Sequence, residues 1–156
     1  MSKNDVFRIK GATNVSYEFD RYSLKEPFVD ALLEALSNVP GIYILLSSTT
    51  DNSGVEQYEL LYCDVTDNLR QSLENLLPSG IVERANNICF SYEPSPLVRC
   101  DIMVDILLGN YFIGNEPLNW FFSNKEYLCN YFQNLRCRKF FITNLATDNA
   151  RKDYAR

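Results

Sequence analysis

The stretch whose reading decides the fold runs from Val39 to Asp64, VPGIYILLSSTTDNSGVEQYELLYCD. After Val39-Pro40, the run Gly41 to Ser47 (GIYILLS) has the apolar, β-branched and aromatic content of a buried strand. Ser48 to Gly54 (STTDNSG) is polar and glycine-containing, the composition of a long hairpin turn. Strand character resumes over Gln57 to Cys63 (QYELLYC). Two antiparallel strands joined in this way place Tyr43 and Tyr62 near the same end of one ribbon.

Working outward, Pro27 suits the first turn of a helix because its fixed φ is already helical. Phe28, Leu32, Ala35 and Leu36 then recur at helical spacing until Val39-Pro40 ends the run. Residues 5–22 alternate loosely through Val6, Ile9, Val15, Tyr17 and Phe19 around Gly11, which predicts one or two short strands. Downstream, Thr66 is the expected N-cap, with Asp67 in the first turn, of a helix over 67–77. Its Leu69, Leu73, Leu76 and Leu77 form one apolar stripe, stopped by Pro78-Ser79-Gly80.

Ile88 to Glu93 alternates like an antiparallel strand with one buried face. Ser95-Pro96 then caps and opens a helix from Leu97 to about Leu108, with Ile102, Met103, Ile106 and Leu107 on its apolar side and Gly109-Asn110 as its stop. Near the end, Ser123 or Asn124 can cap a last helix with Leu128, Tyr131, Phe132 and Leu135 on one face. Lys139 to Ile142 reads as a short strand, and Thr147 to Arg156 as a polar tail. The expected fold is therefore α+β: a small, mainly antiparallel sheet in β-β-α-β-α order, packed with helices and extended at both ends.

The 156 residues fit a single domain, enough to bury roughly two-thirds of the surface the unfolded chain exposes. Hydrophobic residues at 46% and charged residues at 22% exclude intrinsic disorder. No apolar run approaches the roughly 20 residues that span a bilayer, and Met1 to Arg8 lacks the pattern of a secretory leader, so a cytoplasmic location and no membrane partner are expected. Five cysteines without a C-x-x-C pair, and no histidine, make a zinc site of the usual kind improbable and reduced thiols the expectation. Net charge is −5, with +4 over residues 121–156 and −9 over residues 1–120, so most of the chain repels a polyanion at range.

Five local features in order carry a family resemblance. They are Val39-Pro40-Gly41-Ile42-Tyr43, Leu61-Tyr62-Cys63-Asp64, Thr66-Asp67-Asn68-Leu69-Arg70, Phe90-Ser91-Tyr92, and Pro117-Leu118-Asn119. Over residues 39–119, about half the chain, the sequence resembles the GIY-YIG nuclease superfamily. The resemblance implies a divergent GIY-YIG-like core in which two tyrosines, a helix arginine and a distant carboxylate converge on one phosphodiester, with a magnesium or manganese ion held by that carboxylate.

Tyr43, Tyr62 and Asn119 stand at the positions that the resemblance marks as retained. The glycine of the second signature is replaced by Asp64, a carboxylate where a phosphate would approach. The arginine position falls on Ser72, ten residues after Tyr62, while Arg70 is two residues early and about 200° around the helix. Leu76 follows where a polar group is usual. Asp105, with Asp101 one turn earlier, is the nearest match to the metal-binding glutamate, one methylene short. If the chain is active, the expected site is Tyr43, Tyr62, Arg70 and Asn119, with Asp105 on the metal and Arg70 or Arg99 replacing the missing cation.

Each residue also has a structural reading. Tyr43 and Tyr62 can be amphipathic strand residues, and Asp101 and Asp105 the solvated face of a helix. Arg136, Arg138 and Lys139 beside Phe140 and Phe141 can be a nucleic-acid surface or a helix C-terminus that favours cations. Three functions follow: a catalytically inactive GIY-YIG-like module that binds a protein or nucleic acid; an active metal-dependent endonuclease; or a small acidic inhibitor. The last gains if Glu56, Glu59, Asp64 and Asp67 form one exposed face.

Overall fold

Thr49 and Thr50 are polar but β-branched, and they extend the first strand of the hairpin rather than beginning its turn. In the computed structural model, which describes residues 5–25 and 27–115, this strand runs Gly41–Thr50 and its partner Glu56–Thr66, both longer than the sequence pattern predicts. The connecting turn shrinks to Asp51–Val55. There the Asp51 carboxylate accepts from Ser53 N at 2.8 Å and Val55 N at 3.0 Å, which lowers its pKa, and Gly54 takes φ 80°.

In chain order the elements are β1 (Val6–Lys10), β2 (Ser16–Ser23), α1 (Phe28–Leu36), β3 (Gly41–Thr50), β4 (Glu56–Thr66), α2 (Leu69–Leu76), α3 (Ile81–Arg84), β5 (Asn87–Tyr92) and α4 (Pro96–Gly109). The expected β-β-α-β-α order is the run β3-β4-α2-β5-α4, with the short α3 inserted; four residues are too few for a periodic signal. The fold is α+β, with one curled antiparallel sheet in the order β1-β2-β5-β3-β4. Among the described residues no helix is long and apolar enough to cross a membrane.

Strand alternation divides the core in two. Ile42, Ile44, Leu46, Cys63 and Cys89 point to the face that packs on Met103, Val104, Ile106 and Leu107 of α4. Tyr43, Leu45, Ile88 and Phe90 point to the other, against Leu32 of α1 and Leu69 and Leu73 of α2. A β-bulge in β4 breaks the alternation: Leu45 pairs with Tyr62 and Leu46 with Leu60, so Leu61 and Tyr62 both join the α1/α2 side. The sheet curls until its first and last strands meet at one end, with Phe7 edge-on to Tyr58 at 5.3 Å and Arg21 paired with Glu56 at 2.7 Å.

Three local expectations are corrected. The N-cap of α2 is Asn68, whose Oδ1 accepts from Gln71 N at 3.0 Å, because Thr66 is still in β4 and turns its hydroxyl to Asn68 N instead. The helix ends at Leu76, so Leu77 enters a 3-10 turn with Pro78 and lies exposed rather than on the stripe. Ser95 and Pro96 do cap and open α4, but Asp101 and Asp105 are buried and not on a solvated face, since the curled sheet and the β1–β2 turn together enclose that helix.

Candidate functional site

Antiparallel pairing sets Tyr43 opposite Asp64, and the bulge then brings Tyr62 onto the same side. The two tyrosine rings lie 6.1 Å apart with planes inclined by 40°. The Tyr62 hydroxyl donates to Asp64 Oδ2 at 3.1 Å, and Asp64 Oδ1 accepts from Val65 N at 2.8 Å. Tyr43 is only 1% exposed, beneath α2, and Ser72 stands beside its hydroxyl. Ser72 Oγ lies 2.7 Å from Thr66 Oγ1, which accepts from Asn68 N at 3.0 Å. The Ser72 and Thr66 hydroxyls thus pair at the N-terminus of α2, next to the buried tyrosine.

The electrostatics of this cluster oppose ionisation. Burial, and next the Asp64 carboxylate, push the Tyr43 and Tyr62 phenols above their ordinary range. Burial also raises Asp64, against the lowering effect of its bonds from Val65 N and Tyr62. A phenol can serve as a base only as phenolate, so a raised pKa makes either tyrosine a poor proton acceptor near neutral pH.

Ser72, ten residues after Tyr62, thus lies beside Tyr43. Arg70 turns to the opposite side of α2, where its Nη2 makes a long 3.5 Å contact with the Asp30 carbonyl of α1 and lines an apolar groove with Leu33 and Leu73. Asp105 lies on α4, across the sheet from Tyr43. Its carboxylate accepts from Thr13 N (2.9 Å), Thr13 Oγ1 (2.7 Å) and Tyr17 Oη (2.6 Å). Burial, followed by that bond to Asp105, pushes the Tyr17 phenol up. A Cβ on Gly11 would collide with the Asp105 carboxylate, so the β1–β2 turn closes directly over it.

Magnesium and manganese take near-octahedral oxygen shells and keep several waters. Asp105 is fully buried and already committed to three protein donors, so the residues around it do not fit such an ion. Among the described residues no group of three Asp, Glu or Cys side chains converges elsewhere. Asn119 and the basic-aromatic segment Arg136, Arg138 and Lys139 lie outside the described residues.

Sequence reasoning offered Arg99 only as a stand-in cation. In the structure it is 5% exposed, and its Nη1 donates to the Thr66 carbonyl at 2.8 Å and to Asp67 Oδ1 at 2.7 Å. Its Nε is buried without an acceptor. Arg99 shares a cleft of about 420 Å³ with Thr66, Asn68, Gln71, Ser72 and Pro96. Asn115 was not foreseen at all. Its amide accepts from Cys63 N at 3.0 Å and donates to the Cys63 carbonyl at 3.1 Å, and no local pattern signals a contact across 52 residues.

The acidic residues do not form one free face. Glu56 pairs with Arg21, Glu59 with Arg84 and Asp67 with Arg99, while Asp64 is half-buried against Tyr62. Comparison with protein-family models, with curated proteins and with solved structures returns no match.

Proposed function

We propose that this chain is a non-catalytic binding module built on a degenerate GIY-YIG-like scaffold, and that its ligand engages the cleft beside Ser72. The observation that carries the reading is the dispersal of the expected catalytic set. Tyr43 and Tyr62 share one sheet face with Asp64, Arg70 turns toward α1, and Asp105 is locked on the other face by Thr13 and Tyr17. Phosphodiester cleavage needs a cation and a metal-held nucleophile within ångströms of one phosphorus, and groups on opposite faces of a sheet cannot act together there.

An endonuclease is the second reading, and Arg99 favours it, because it lines the same cleft as Ser72, where the missing helix arginine would act. Incubation with plasmid, branched and single-stranded DNA in magnesium or manganese separates the two. The binding reading expects no cleavage in any combination. Cutting that Tyr43→Phe or Asp105→Ala abolishes, in variants that remain folded, would establish the nuclease instead.

A further inference from the structure

The helical side of the sheet carries an apolar groove that is separate from the cleft beside Ser72. Val29 and Leu33 of α1, Leu73 of α2, Leu77 of the turn that follows and Val82 of α3 line it. Leu77 is 51% exposed, and Phe28, next to Val29, is 60% exposed. The groove holds about 250 Å³, below the roughly 300–1,000 Å³ of small-molecule pockets, and suits the side chains of a helix laid along it. The described chain also reaches its end beside this place. Ile113 packs into the α1/α2 core, and a Cβ added to Gly114 would lie 3.1 Å from Ile81 Cδ1, one residue before Val82 of the groove wall.

Residues 116–156 lie outside the described residues, and their sequence holds a counterpart to the groove. Leu128, Tyr131, Phe132 and Leu135 recur at i, i+3, i+4 and i+7, the spacing of the anchors that an amphipathic helix lays into an apolar groove. We propose that residues 124–135 of the same chain cover this groove as such a helix. Reach is sufficient: the 13 residues from Asn115 to Leu128 span up to roughly 40 Å, whereas α3 is only about 6 Å long. Charge agrees as well. The three helices present exposed Asp30, Glu34, Glu74 and Glu83 against Arg70 and Arg84, and Arg84 is already held by Glu59. Residues 121–156 carry +4, and Arg136, Arg138 and Lys139 follow the apolar stripe directly, so the segment brings cations to an acidic rim.

Nuclear Overhauser spectra of the full chain, with isotope-labelled methyl groups, test this directly. Contacts are expected from the Tyr131 and Phe132 rings to the methyls of Leu33, Leu73, Leu77 and Val82. Phe132→Asp should shift those methyl resonances and leave the methyls of Ile9 and Val104, on the other side of the sheet, unchanged. If that variant does not fold, the wild-type contacts decide alone. Absence of any such contact in the wild type, or unmoved groove methyls in folded Phe132→Asp, would overturn the proposal. A mixture of labelled and unlabelled chains separates the two sources of the helix. Contacts that arise only between molecules would make a second copy the occupant and overturn pairing within one chain. None of these outcomes bears on the cleft beside Ser72, so the two readings stand or fall separately.

Discussion

Asp64 shows how one residue can set the character of a site. A glycine there would leave the tyrosine cluster neutral, whereas its carboxylate is half-buried with no cation among its hydrogen-bond partners. Burial raises its pKa, so the folded state binds the proton more tightly than the unfolded chain does. The associated stability is present in full below the unfolded value near 3.9, and is lost as pH rises through the raised folded pKa. Asp64→Asn removes the titration while keeping an acceptor for Val65 N. Urea denaturation should therefore favour the variant over wild type more at pH 7 than at pH 3; a difference independent of pH would contradict the assignment. At this scale the sequence was informative about position and poor about surroundings. Counting ten residues from Tyr62 marked Ser72 and set Arg70 on another face of the helix, without showing what either would touch. The burial of Asp105 was invisible, because an i, i+4 aspartate pair on an amphipathic helix reads as solvated until the β1–β2 turn is folded over it.

At the scale of elements, the hairpin was legible because two apolar runs flanking a polar segment admit few other structures. Its ends were misjudged where Ser48, Thr49 and Thr50 looked like turn residues by polarity, although the β-branching of the two threonines suits the strand they extend. α4 was placed correctly by Ser95-Pro96 and Gly109-Asn110, yet its partly buried polar side could not be read from periodicity, which assumes one wet face. The junction of β3 with β5 depends on Gly41 for a reason the sequence alone does not give: a Cβ there would collide with the Ser91 carbonyl, and the Phe90 ring would lie 2.6 Å away. Gly41→Ala should cost about 3 kcal/mol or more in urea denaturation, because backbone cannot move aside as a flexible side chain can. A loss under about 1 kcal/mol would mean that the strands part there at little cost.

For the whole molecule, the two-sided core around β3 makes a graded prediction about its thiols. Cys63 and Cys89 are fully buried, while Cys100 is half-exposed. Burial raises the Cys63 thiol well above its ordinary value and pushes Cys89 up to about 12. A thiol reagent should therefore modify Cys100 at least roughly a hundred-fold faster than Cys63 or Cys89, which wait on global opening. Peptide mapping of the labelled chain reads this directly, and similar rates at all three would show that the core opens locally. Such a core also says what must be kept off the surface. β4 lies at one margin of the sheet, and its outward peptide groups at Cys63 are taken by the Asn115 amide, which presents one donor and one acceptor as a neighbouring strand would. Asn115 is a one-residue counterfeit of a sixth strand: it satisfies the ladder at that point without offering a further edge. Its consequence is colloidal: at that point of the margin a second molecule, or an aggregating β-segment, finds the place already occupied.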